Sequence, residues 1–97
     1  MKHILIILSI LLLSSPLFGQ SLVSVGNSGT ILTSSDGNSW TERTSGTSED
    51  LYDVTYGKGL FVVVGEDGTI ITSPDEYFWT KRTSVTSVDL LGVTYSQ

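Results

Sequence analysis

Past position 20, apolar residues fall in short runs whose spacing fits strands and never a helix. "LYDVTY" (51–56) alternates, with Tyr52, Val54 and Tyr56 on one face. "LFVVVG" (60–65) is continuously apolar and β-branched, and "TIITS" (69–73) is β-branched again. "WTKRTS" (79–84) opens on an aromatic residue and turns polar. Segments this short and this rich in Val, Ile, Thr and aromatics predict four strands. No stretch after residue 20 carries an apolar 3.6-residue period of useful length.

The joints between these runs carry turn chemistry. Gly57 and Gly59 flank Lys58 and predict a tight hairpin. "GEDGT" predicts a type I turn with Gly68 left-handed as a bulge, after Gly65; "GNSGT" predicts the same with Gly29, after Gly26. One unit is therefore a four-stranded antiparallel meander. "LFVVV" does not alternate, so its strand is expected to be covered on both faces. Glu42 and Arg43, and Lys81 and Arg82, sit on the last strand, where charge protects an exposed edge.

The unit is written twice. Trp40 and Trp79 lie 39 residues apart, and at that offset Val23 and Val25 fall on Val62 and Val64, Arg43 on Arg82, and Asp50 on Asp89. The match runs on from Val54-Thr55-Tyr56 to Val93-Thr94-Tyr95. A period near 40 residues means one supersecondary unit per repeat. Buried inner strands and charged outer strands describe sheets stacked face to face, as blades of a β-propeller. The expected fold is all-β: about two four-stranded antiparallel propeller-type blades, an incomplete propeller, with units over 22–58 and 61–97. A propeller closes with about four to eight blades. The first unit lacks its first strand, and "LLGVTY" (90–95) reads as the first strand of a third. Two explanations compete: a fragment of a longer repeat protein, or a homo-oligomer in which "LLGVTY" of one chain completes the next and closes a ring.

The first 20 residues read differently. Lys2, an apolar run over 4–13, Pro16 and small residues make the three-part layout of a secretory signal peptide, with cleavage near Gly19 or Ser21. An uncleaved N-terminal anchor is the alternative. The run is shorter than the roughly 20 residues a helical span needs, so no membrane span is expected in the mature chain. A secreted or periplasmic domain over 21–97 is expected.

That processing removes chemistry. His3 is the only histidine and there is no cysteine. Without residues 1–20, Ser-His-Asp and Cys-His catalysis and the usual zinc sites lose their ligands. Four basic residues remain against ten acidic ones. That balance excludes a nucleic-acid partner, which needs clustered Lys and Arg. The acidic pairs Glu49-Asp50, Glu66-Asp67 and Asp75-Glu76 do not follow a calcium-loop pattern and read as solvated loops. No metal and no cofactor is expected.

"SSDGNSW" and "SPDEYFW" carry a further signal. Ser34, Asp36, Gly37 and Trp40 resemble the Asp-box of bacterial-neuraminidase-type repeats, one residue short between Asp and Trp. The second copy keeps Ser73, Asp75 and Trp79 and lacks the glycine. Over essentially the whole mature chain, the unit is similar to secreted bacterial propellers of the photosystem II assembly-factor type and to the sialidase superfamily. The resemblance implies that the box is a structural turn between third and fourth strands, with no catalytic role. The residues agree: a short Asp accepts backbone N–H bonds two residues on, and Trp covers the turn.

Sialidase chemistry needs carboxyl groups or a tyrosine nucleophile across the scissile bond. The resemblance adds an arginine cluster, whereas the only arginines here, Arg43 and Arg82, recur at the repeat period. The expected role is non-enzymatic binding or scaffolding, with a protein or glycan partner. The alternative is a carbohydrate-active module of sialidase type. The loops "GNSG", "GEDG", "SGTSED" and "SVTSVD" are the expected contact surfaces.

Overall fold

A computed structural model describes residues 9–15 and 19–96. The protein is all-β, with two antiparallel sheets. The first contains β1 (Ser9–Ser15), β2 (Gly19–Val25), β3 (Ile31–Ser34) and β4 (Thr41–Arg43), in that order. The second contains β5 (Leu51–Gly57), β6 (Leu60–Gly65), β7 (Ile70–Ser73) and β8 (Thr80–Arg82), again in chain order. The expected leader over 1–20 falls partly outside the described residues; of the remainder, residues 9–15 pair with β2 and Gly19 opens β2.

The repeat is reproduced in the register. β2 meets β3 with Val23 opposite Thr33 and Val25 opposite Ile31. β6 meets β7 with Val62 opposite Thr72 and Val64 opposite Ile70, each 39 residues on. The outer strands follow suit, with Arg43 opposite Ile31 and Arg82 opposite Ile70. Both tryptophans fall just outside the strands they were expected to open.

The core lies between the sheets. Val23, Val25 and Ile31 of the first meet Val54, Phe61, Val63 and Ile71 of the second, with Leu51 at the crossing. The two inner faces are not equivalent positions of the repeat. Val23, Val25 and Ile31 correspond to Val62, Val64 and Ile70, which lie on the far side of the second sheet. Stacking is thus head to tail, one unit's front on the next unit's back. One face of the apolar run of β6, Phe61 and Val63, enters this core, while Val62 on the other face is half-buried, so the expected cover on both faces is met on one.

Three expectations are corrected by backbone geometry. First, the alternation of "LYDVTY" breaks: the register shifts between Leu51 and Asp53. The bulge lets Leu51 and Val54, three residues apart, both enter the core. Second, the turns at 27–30 and 66–69 are not type I turns with one left-handed glycine. Ser28 (φ 57°) and Gly29 (φ 73°), and Asp67 (φ 57°) and Gly68 (φ 72°), are all left-handed. Thr30 N–H closes on the Asn27 carbonyl and Thr69 N–H on that of Glu66. These are mirror-image type I′ turns, whose twist matches the flanking strands. Lys58 (φ 51°) and Gly59 (φ 78°) form the same turn between β5 and β6. Third, Gly26 and Gly65 are extended and bend nothing. At Gly65 a Cβ would strike the Asp50 backbone, so this glycine permits close approach of the two sheets' connecting chain.

The segment 90–95, expected as a strand, runs past the second sheet with no ladder partner among the described residues. It is nonetheless placed. Leu90 N–H donates to the Gly65 carbonyl at 2.9 Å, as Leu51 N–H donates to that of Gly26 at 2.9 Å.

Candidate functional site

Most polar side chains that could carry chemistry are engaged in turns, identically in both units. In the 34–40 turn, Ser34 Oγ donates to Asp36 Oδ1 and accepts the N–H of Gly37 at 2.8 Å. Asp36 Oδ1 then accepts the N–H groups of Asn38 (2.8 Å) and Ser39 (3.0 Å). Trp40 Nε1–H closes the turn on the Gly37 carbonyl at 3.2 Å. The 73–79 turn repeats every bond. Ser73 serves Asp75 and Glu76, Asp75 serves Tyr77 and Phe78, and Trp79 Nε1–H donates to the Glu76 carbonyl at 2.9 Å. Where the first turn has Gly37 at φ 82°, the second forces Glu76 to φ 67°.

Two fixed N–H donors favour a charged carboxylate. Backbone bonds from Ser39 and then Asn38 hold Asp36 below its ordinary value, and those from Phe78 and Tyr77 do the same for Asp75.

The acidic residues expected as solvated loops are corrected in two places. Asp75 is one, held in its turn. Asp50 is another: its Oδ1 accepts the Ser28 N–H at 2.8 Å, across 22 residues. Asp89 grips the Asp67 N–H at the same 2.8 Å. Each carboxylate leads into the following unit and reaches back to the type I′ turn of the one before. That bond rewards the left-handed conformation of Ser28 and Asp67. Beside it, Glu49 is pushed above its ordinary value, first by a hydrogen bond shared with the Glu66 carboxyl.

The loops expected as contact surfaces are likewise partly spent on one another. Gly29 and Gly68 are buried, and a Cβ at either would strike the Thr47 or Thr86 carbonyl. "GNSG" is thus roofed by "SGTSED", and "GEDG" by "SVTSVD". Ser45 and Thr47 hold the roof, with Thr47 N–H on Ser45 Oγ and Glu49 N–H on Thr47 Oγ1.

The opposite end of the sheets offers a surface that does not repeat. Asn38-Ser39 in the first turn becomes Tyr77-Phe78 in the second. Phe78 is 76% exposed. Arg43 donates Nε–H to Thr33 Oγ1 at 2.9 Å and lays its guanidinium 4.8 Å from the Tyr77 ring centre, bridging the sheets by a cation–π contact. Arg82 makes the same bond, to Thr72, and is exposed. An open cleft of about 470 Å³ results, lined by Glu42, Arg43, Tyr77, Phe78 and Trp79. Trp79 forms its floor, packed on Phe61 with ring centres 5.9 Å apart. The sequence held the signal for this surface in the mismatch between the two repeats.

Among the described residues, no group of three or more His, Cys, Asp or Glu side chains converges to hold a metal. Among them, no helix is long and apolar enough to cross a membrane. The chain matches no known family model, no curated protein and no solved structure.

Proposed function

We propose that this chain is a non-catalytic repeat module of the Asp-box β-propeller type, acting outside the cytoplasm by binding. Its contact surface is the Arg43–Tyr77–Phe78 cleft. One observation carries the reading. The polar residues shared by the two units (Ser34, Asp36 and Arg43; Ser73, Asp75 and Arg82) each hold the same bond twice, so their chemistry maintains turns and strand edges. Recognition then falls to what differs between the units, the aromatic pair beside Arg43.

The cleft suits a glycan: an apolar ring to stack on, a guanidinium and the Glu42 carboxylate to hydrogen-bond hydroxyls, and an open mouth. The secretory leader proposed over 1–20 delivers the module to the compartment where such partners are displayed.

Trp79 reports occupancy. Its emission is expected to change on titration with glycans selected from an array, and Phe78→Ala is expected to weaken binding about tenfold, a loss of about 1.4 kcal/mol. Silence across the array leaves a protein partner for the same surface. Turnover of a fluorogenic sialoside overturns the non-catalytic reading in favour of a carbohydrate-active module.

A further inference from the structure

The two ends of the stack leave different faces of the repeat half-buried, and residues 90–95 lie at one of them. Leu90 and Asp89 bind the second sheet with the bonds that Leu51 and Asp50 make to the first. Residues 90–95 are therefore positioned to begin a third sheet as residues 51–56 begin the second. Val93 N–H on Asp53 Oδ2 at 3.0 Å, and the Tyr95 ring against Gly57, hold the segment beside β5. Yet Leu91 stays 72% exposed, and the segment has no ladder partner among the described residues.

The repeat specifies that partner. β5 pairs with β6 so that Leu51 faces Gly65, Val54 faces Val63 and Tyr56 faces Phe61. Moving the first strand forward by one 39-residue period and the second back by one sets Leu90 opposite Gly26, Val93 opposite Ser24 and Tyr95 opposite Leu22. Those residues lie on and just beyond β2, whose edge residues 9–15 occupy in this chain.

The faces agree with the strand. Val23 and Ile31 are sealed by the second sheet, whereas their equivalents Val62 and Ile70 are only half-buried. Phe61 and Ile71 are sealed by the first sheet, whereas their equivalents Leu22 and Leu32 are only half-buried. Val64 on the same front is already buried, so the open part of that face is Val62 and Ile70, and that of the opposite back is Leu22 and Leu32.

We infer that a second copy of this chain docks head to tail here, its residues 90–95 adding to the β2 edge in place of residues 9–15, and its Val62–Ile70 face covering Leu22 and Leu32. The contact is heterologous, so it closes into a ring where the rotation permits. Residues 9–15 act as a plug on the assembly edge, released by cleavage. The inference rests on the stacked-unit part of the proposed function and not on the glycan cleft.

The test uses the full chain with a specific protease site placed between Ser15 and Gly19, followed by sedimentation and native mass spectrometry. Before cutting, a monomer is expected; after cutting, loss of the N-terminal peptide and a discrete oligomer of about three or four copies. A cut monomer, with the peptide retained or lost, overturns the inference, as does an oligomer before cutting. Leu32→Asp blocks one face and Thr94→Pro the other. After cutting, each alone is expected to stay monomeric, while their equimolar mixture gives a heterodimer and nothing larger. Assembly by either variant alone, or a mixture that stays monomeric, sinks the head-to-tail register. Circular dichroism on both variants checks that the sheets persist. Glycan-dependent Trp79 emission from a cut chain that fails to assemble leaves the binding reading standing.

Discussion

The two sheets share a hydrogen-bonded frame and differ in what that frame supports. The 34–40 and 73–79 turns make the same bonds, yet Trp40 is 37% exposed while Trp79 packs against the core. Local sequence sets the turn; the neighbouring sheet sets what the tryptophan contributes. Trp79 finds Phe61, itself in ring contact with Tyr56 at 4.8 Å. At the position equivalent to Phe61, the first sheet has Leu22, on a face that the second sheet does not cover. The same contrast appears on β2: Ser24 is buried with no hydroxyl partner among the described residues, where the second sheet has Val63 in the core. A repeated sequence thus gives repeated turns without giving repeated energetics.

The tryptophans provide the largest break in that symmetry. Trp79→Ala is expected to cost about 3 kcal/mol, by loss of the aromatic cluster and the cavity left behind. Trp40→Ala is expected to cost about 1 kcal/mol, the range of a half-exposed site. Urea midpoints at unchanged slope measure both; equal losses would show that the turns and not the packing dominate.

A smaller effect separates the turns themselves. Glu76 holds a left-handed φ of 67° where Gly37 holds 82°. Glu76→Gly relieves a strain of about 1 kcal/mol, part of which is returned as added freedom of the unfolded chain. A rise in the urea midpoint is expected, with the Ser73 bond to this N–H kept. Gly37→Ala, which imports the strain into the first turn, is expected to lower it.

The smallest effect is one of pH. Asp36 and Asp75 are held below the ordinary aspartate value of 3.8, so the stability they supply is present above that value and lost as pH falls through their lowered values. Glu49 is held above the ordinary glutamate value of 4.5, so its contribution is present below that value and lost as pH rises through the raised one. Asp36→Asn with Asp75→Asn is expected to flatten the acid side of the stability profile, and Glu49→Gln to flatten the loss just above pH 4.5. An unchanged acid limb in the double variant would mean that the turn bonds are not linked to folding.

β6 matches the expected 60–65 strand because its pattern is local and continuous. The other boundaries of that unit shift by one or two residues: Gly57 joins β5, and Thr69, Trp79, Thr83 and Ser84 leave the ladder. Residues 90–95 have strand chemistry but form no strand, since a ladder needs a second edge and propensity cannot supply one. The candidate cleft was legible only as a difference between repeats, Tyr77-Phe78 against Asn38-Ser39. Nothing in the spacing of Arg43 shows that its guanidinium crosses to Tyr77.

By itself, the sequence determined the period, the turn positions and the strands of the second unit from 51 to 82, since each depends on residues within a few places of one another. The tertiary structure alone decided three things: that Asp50 and Asp89 reach back 22 residues to hold the preceding turns, that a bulge at Tyr52 sends both Leu51 and Val54 inward, and that the sheets stack front to back. Each depends on the separation and angle between two sheets, a quantity fixed by how their side chains interlock across the interface and written in neither repeat taken singly.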